Sequence, residues 1–306
     1  MTNAPTSAAS TSAAATSNGP RSAAPVVRVA GVGKTFGTQT GGVRALDGID
    51  LSSGEGEFVS LIGPSGCGKS TLLRLIGDLT APTDGTVEVN GKPARRARLD
   101  RDYGMVFQAP VLMDWRNVQR NVELPLEILG MKKAERARRA AAMLALVELG
   151  EFARSHPWQL SGGMQQRVAI ARALSFDPKL LLMDEPFGAL DEMTRERLNL
   201  ELMRVWRQTG TTIVFVTHSI PEAVFLSSRV VVMSPRPGQI TRIVDVDLPR
   251  PRADGVRESE AYFARITEVR EALRAGGAHV TGDGDDGTGA AGTASARRTA
   301  AEGAVG

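Results

Sequence analysis

The sequence predicts an α/β fold in which a parallel sheet, covered on both faces, is interrupted by an all-helical insertion. Two observations carry this reading. The first is a set of runs of four to seven apolar residues, within "KLLLMDEP" ending at Pro186, "TTIVFVTHS" ending at Ser219 and "RVVVMS" ending at Ser234, with helical sequence between them. Strands that are apolar at every position, not at alternate ones, belong to sheets buried on both faces. The second is a change of period from Asn117 to Gly150, where Leu124, Ile128, Met143, Leu144 and Val147 recur at the threes and fours of a helix.

In chain order, residues 1–24 are Ala-, Ser- and Thr-rich, with no basic start and no apolar stretch, and read as a disordered leader. The first third of the folded part holds β-branched segments separated by glycine turns: "VVRVAGV", "IDLSSGEGEFVSLIG", "TVEVNGK" and "YGMVFQ". Asn90-Gly91 favours a tight turn. A helix, "STLLRLIGDL", follows the strand "FVSLIG". The helical insertion is expected at about 109–175, within a folded unit of 25–250. In it, "MKKAERARRAAAM" reads as a solvated helix face and "VAIARAL" as a second helix. Residues 251–275 form a C-terminal helical extension whose amphipathic part, Ser259 to Arg274, packs back on the core, and 276–306 read as a disordered tail.

Composition excludes several function classes. With 37 Lys and Arg against 34 Asp and Glu, the formal charge is only +3, so there is no dense basic face and nucleic acid is not implied as a partner. Cys67 is the single cysteine, which excludes an internal disulfide, and His156, His218 and His279 show no zinc-ligand spacing. The chain suits a reducing cytosol. No apolar run approaches the roughly 18 to 20 residues needed to cross a bilayer.

The chemistry is concentrated in short motifs. Gly63 to Ser70, within "GPSGCGKST", fits G-x-x-x-x-G-K-[ST], with the required strand before it and helix after it. Across Gly63, Pro64, Ser65, Gly66, Cys67 and Gly68, the glycines let the backbone N–H groups that this loop has curl around the β- and γ-phosphates. Lys69 adds a positive charge, and the hydroxyls of Ser70 and Thr71 stand at the helix start, where Ser70 can complete a Mg²⁺ shell. Cys67 is read as merely small, not as a redox centre. "LLLMDEP" ends a buried strand with two acids, where ligands sit in parallel sheets. Asp184 is expected to hold Mg²⁺, and Glu185 to polarise an attacking water. His218 ends another strand, which should finish on the same edge as Asp184, within reach of the γ-phosphate or the water. His156 and His279 read as structural or exposed. Gln108, directly after "YGMVF", can touch Mg²⁺ or water at the entrance to the insertion. A second anion-binding turn, "LSGG", places Ser161, Gly162 and Gly163 at the start of a helix, where unpaired N–H groups and the positive dipole end point outward.

With the P-loop, Gln108, "LSGGMQQR", "LLLMDEP", "GALD" at Gly188 to Asp191 and His218 in this order, the chain resembles the ATP-binding cassette subunit of an ABC transporter over about Val26 to Asp245. The resemblance implies an α/β P-loop NTPase (RecA-like) core with an N-terminal antiparallel β subdomain and an inserted α-helical subdomain. It also implies ATP and Mg²⁺ as ligands, Glu185 as catalytic base, and Asp191 as a connection between two sites. A second copy of the chain packs head to tail in this family, each LSGG turn facing the other copy's nucleotide. Phe36, in "GKTFG", falls where the family places an aromatic ring, usually tyrosine, against adenine. Met164 is a departure, since many cassettes have Gln directly after LSGG.

The segments "APVLMDWRNVQRNVELPLEILG" and "SPRPGQI" resemble cassettes of nitrate/sulfonate/taurine-type importers, which also include carriers of pyrimidine vitamin precursors. This implies a membrane permease received near Val111 to Asn121, with Leu112 and Trp115 as candidate apolar contacts. It implies further an extracytoplasmic solute-binding protein as an indirect partner, and a peripheral place on the cytoplasmic face of the membrane. Two rival classes are a soluble ABC ATPase of DNA repair or translation, which typically carries tandem cassettes or coiled-coil inserts, and a P-loop small-molecule kinase, which has no need of LSGG.

Overall fold

The computed structural model describes residues 24–38, 41–252 and 254–278. The stretches expected as leader and tail lie outside these, apart from 24 and 276–278, as does His279. The chain begins with a hairpin of β1 (Val27–Thr38) and β2 (Gly41–Ser53). Strand β3 (Phe58–Ile62) then leads into α1 (Lys69–Ile76), followed by β4 (Asp84–Val89), β5 (Lys92–Pro93), α2 (Ala94–Asp100) and β6 (Tyr103–Val106). Three helices intervene next: α3 (Val118–Ile128), α4 (Lys133–Leu146) and α5 (Gly162–Leu174). The remainder alternates as β7 (Leu180–Asp184), α6 (Glu192–Thr209), β8 (Thr212–Val216), α7 (Ile220–Leu226) and β9 (Arg229–Met233), and closes with β10 (Ile240–Asp245) and α8 (Glu260–Ala278).

The strands sort into two sheets. An antiparallel one has the order β2-β1-β4-β5, and a larger one runs β10-β9-β3-β8-β7-β6, parallel except for the edge pair β10 and β9. Strands β3, β7 and β8 are buried at every residue, Ser60, Asp184 and Thr212 included, as strands covered on both faces require. Alternation along β7 sends Leu180 and Leu182 into the core shared with α1 and the antiparallel sheet, and Leu181 and Met183 into the core under α5, α6 and α7. The non-sequential order β3-β8-β7 brings the C-terminal ends of three distant strands to one edge.

The helical insertion lies between the neighbouring strands β6 and β7. Close backbone contact joins it to the sheet: a Cβ on Gly104 of β6 would stand 2.4 Å from the Ala173 carbonyl of α5. The loop after β6 is tied to α5 by Gln166 Nε2, which donates to the Phe107 carbonyl at 3.0 Å, and by Arg172, which donates to the carbonyls of Pro110 at 2.9 Å and Val111 at 2.8 Å. The buried Asn121 organises the rest of that loop, donating to the carbonyls of Met113, Arg116 and Asn117 and accepting from the Met113 N–H at 2.7 Å. Trp115, which that loop carries, is 76% exposed.

Helix α8 packs against α7, β9 and β10. It runs to Ala278, into the stretch expected as a free tail, because Gly276 can sit against Thr241 on β10, where a Cβ would be 3.1 Å from the Thr241 hydroxyl. Helix α1 stops sooner than the apolar pattern of "STLLRLIGDL" predicts, since Gly77 ends it with its N–H returning to the Leu73 carbonyl at 3.0 Å. No helix among the described residues is long and apolar enough to cross a membrane.

Candidate functional site

The loop from β3 to α1 is held in shape by its glycines. A Cβ on Gly63 would be 2.8 Å from Cys67 Sγ and 2.9 Å from the Met233 carbonyl, so no side chain fits there. Gly66 and Gly68 have φ of +75° and +105°, left-handed conformations open to glycine at little cost. Lys69 is buried, and its ammonium donates to the carbonyls of Gly63 at 2.9 Å and Pro64 at 3.1 Å, which fixes it across the mouth of the loop.

Beside the loop lies a cleft of about 410 Å³. One wall is Ser65, Gly66, Gly68, Lys69, Ser70 and Thr71; the other is Phe36, Val43 and Ala45, with Glu185 and Arg236 completing it. Phe36 is 42% exposed where it lines the cleft, and the Lys34 ammonium lies 5.0 Å from the centroid of its ring. Gly63, Pro64 and Cys67 belong to the loop without lining the cleft, and Cys67 is turned into the core.

At the end of β7, the Asp184 carboxylate accepts a hydrogen bond from the Ser70 hydroxyl at 2.7 Å. Glu185 then leaves the strand with φ of +44° while its N–H donates to the Val216 carbonyl at 3.0 Å. This strained turn sets its carboxylate apart from that of Asp184. Its Oε2 is 3.2 Å from His218 Nδ1, at the end of β8. Gly188 marks where the loops after β6 and β7 meet: a Cβ there would be 3.4 Å from Gln108 Nε2 and 3.5 Å from Glu185 Oε2. Behind His218, the buried carboxyl of Glu222 accepts from the Thr217 hydroxyl, and burial raises its pKa.

The Ser70–Asp184 oxygens are a donor set suited to Mg²⁺, a hard cation that takes few protein ligands and completes its shell with phosphate and water oxygens. Among the described residues, no group of three or more His, Cys, Asp or Glu side chains is arranged to hold a metal ion.

The LSGG turn is elsewhere. Ser161 caps α5, its hydroxyl accepting from the Met164 N–H at 3.3 Å, and Ser161, Gly162 and Gly163 do not line the cleft. They pack instead on the start of α6, where a Cβ on Gly162 would be 3.4 Å from Leu190 and one on Gly163 3.1 Å from Thr194. Asp191 caps that helix, accepting from the Thr194 N–H at 2.9 Å, and this bond lowers its pKa. Sequence reasoning missed Val43, Ala45 and Arg236. Arg236 is in the quoted segment "SPRPGQI", but nothing local says that this turn folds onto the P-loop.

A P-loop at the end of a parallel strand, with a metal-type Ser–Asp pair and a Glu–His pair on the same sheet edge, defines a P-loop nucleotide-hydrolysing cassette. A family model described as ABC transporter matches residues 46–188. The chain is 50% identical over 243 residues to an uncharacterized ABC transporter ATP-binding protein of Methanocaldococcus jannaschii, covering 79% of this chain and 90% of that one. It is 46% identical to a taurine import ATP-binding protein of Rhizobium johnstonii, covering 76% and 88%, and 42% identical to a nitrate import ATP-binding protein of Synechocystis, covering 81% and 95%. A solved dimeric ATP-binding cassette in a post-hydrolysis state, bound to ADP and Pi, is 38% identical, with a TM-score of 0.65 over 73% of this chain and 100% of that one. The chain belongs to the ATP-binding subunits of ABC transporters. It is an ATPase with the α/β fold of those cassettes.

Proposed function

We propose that the chain energises an importer, working as one half of a head-to-tail pair of copies bound to a membrane permease on the cytoplasmic face. The solute is small, of the nitrate, sulfonate, taurine or pyrimidine-precursor type, and a separate binding protein delivers it outside the cell. The import names of its taurine and nitrate relatives support the direction and the substrate class. The exposed Trp115, on the loop organised by Asn121, is the apolar side chain offered to the permease, while Leu112 is half-buried against the core.

The observation that carries the pairing is the separation of two anion-binding turns. The P-loop lines the cleft, whereas Ser161 to Gly163 open α5 outside it and so serve a nucleotide held by another copy. In the cleft, Phe36 stacks on adenine while Lys69 and the N–H groups of the loop hold the β- and γ-phosphates. Ser70, Asp184 and Gln108 would hold Mg²⁺, whose charge would offset that of the phosphate oxygens. Glu185 orients a water whose oxygen attacks the γ-phosphorus in line; the bond to the bridging oxygen breaks, and the water's proton passes to the carboxylate. His218, at 3.2 Å, holds that carboxylate in position. Loss of the γ-phosphate removes the contacts across the interface, and the pair reopens. Moving such an equilibrium from 1:99 to 99:1 takes roughly 5.5 kcal/mol of differential binding, within reach of two nucleotides shared between copies.

The test is reconstitution with the cognate permease in proteoliposomes. Solute uptake that needs internal ATP and scales with its hydrolysis is expected; hydrolysis indifferent to permease and solute overturns the importer reading.

A further inference from the structure

The turn between β9 and β10, within "SPRPGQI", has no part in the reading above, yet it is fastened into the cleft. The Gly238 N–H donates to the Ala45 carbonyl at 2.9 Å, and its carbonyl accepts from the Asp47 N–H at 3.0 Å. Gln239 Nε2 donates to Asp47 Oδ2 at 3.0 Å, and the Ser234 hydroxyl accepts from the Gln239 N–H at 2.9 Å. Gly238 also comes so near the P-loop that a Cβ would lie 2.0 Å from the Cys67 carbonyl oxygen. The turn therefore bridges the wall that carries Ala45 and the loop that carries Lys69.

Arg236 projects from this bridge. Its Nε and Nη2 donate to the Gly66 carbonyl at 3.4 and 3.2 Å, and its side chain lines the same cleft as Lys69 and Phe36. That partner is a neutral carbonyl, so the contact leaves the cation uncompensated. A guanidinium has five N–H donors in a rigid fork, and one carbonyl leaves Nη1 and the second Nη2 hydrogen for a ligand. Being anchored before any ligand arrives, the fork loses little freedom on binding.

We propose that Arg236 is a nucleotide-binding residue whose guanidinium contacts the phosphate chain of ATP and ADP on the P-loop. Its anchorage at Gly66, in the phosphate loop, and the presence of Phe36 for the base place its charge on phosphate and not on adenine. The proposal rests on the cleft being the nucleotide site, and the experiment separates the two.

Equilibrium binding of ATP and of ADP is measured for the full chain and for Arg236→Ala, Arg236→Gln, Arg236→Lys and Lys69→Ala. Arg236→Ala and Arg236→Gln are expected to weaken both nucleotides about 3- to 10-fold, and Arg236→Lys, which keeps the charge without the fork, to lose less than either. Gln can still donate to Gly66, so a role limited to bracing the loop would be rescued by Gln; that rescue, or unchanged affinity in Arg236→Ala, overturns the proposal. Wild-type chain that binds neither nucleotide, or Lys69→Ala that binds as tightly as wild type, overturns the reading of the cleft and the proposal with it.

Discussion

The hydroxyl of Ser70 donates to the carboxylate of Asp184 at 2.7 Å, joining the first turn of α1 to the end of β7 across 114 positions of sequence. The contact presents two hard oxygens together on one edge of the sheet, a pair that would hold a divalent cation. Substituting either should therefore separate metal-dependent from metal-independent behaviour. Asp184→Asn is expected to lower Mg²⁺-dependent hydrolysis by at least about 100-fold while leaving nucleotide binding in chelator within a few-fold of wild type. Steady-state phosphate release, set beside binding measured in EDTA, checks this; equal losses in the two would make Asp184 structural.

Glu185 and His218 meet at 3.2 Å on the same edge. Glu185→Gln keeps the shape and the hydrogen-bonding capacity but cannot take a proton. It should bind ATP normally, slow hydrolysis by about 100- to 1,000-fold and accumulate as an ATP-dependent pair of copies, seen by light scattering. His218→Ala leaves the carboxylate in place without its partner and should lower turnover with little change in KM. Wild-type turnover in Glu185→Gln removes it as the base.

Ser161 opens α5 outside the cleft. An arginine there covers the N–H groups of the turn but touches no residue of the chain's own P-loop wall. Ser161→Arg should bind one ATP with wild-type affinity and fail to pair when Glu185→Gln is added. ATP-dependent pairing of the double variant would contradict the arrangement in trans.

Glu222 carries a pH dependence. Burial raises its carboxyl above the ordinary 4.5, with Thr217, Asn199, Arg195 and His218 around it. The folded chain then keeps the proton at pH values where the unfolded chain has released it. Stability is thus withdrawn as pH climbs from about 4.5 through the raised folded value. Glutamine mimics the protonated form and escapes this penalty. It can also donate to Asn199, whose side-chain oxygen is buried without a partner. Glu222→Gln should melt roughly 2 to 4 °C above wild type at pH 7 to 8, and the gap should close toward pH 4.5. Calorimetry across that range decides, and a gap that widens in acid would show the carboxylate to be ionised in the folded chain.

What the sequence determined by itself is local. Gly66 and Gly68 were legible as members of the G-x-x-x-x-G-K-[ST] pattern, and Ser161 because a short polar side chain before a helix takes up its first N–H groups, whereas the positive φ of the two glycines and the capping of α6 by Asp191 came from the structure. The apolar runs of β7, β8 and β9 announced a doubly covered parallel sheet, and with it the edge at which Asp184 and His218 end. Only the tertiary structure decided which of these ends touch. The strand order β3-β8-β7 sets Glu185 against His218 and Ser70 against Asp184, and it follows from how two cores pack on opposite faces of one sheet. Arg236 reaches Gly66 across 170 positions for the same kind of reason. A turn has no local preference for the loop that it meets; it lies there because β9 pairs with β3 and Gly238 can approach the P-loop without a side chain.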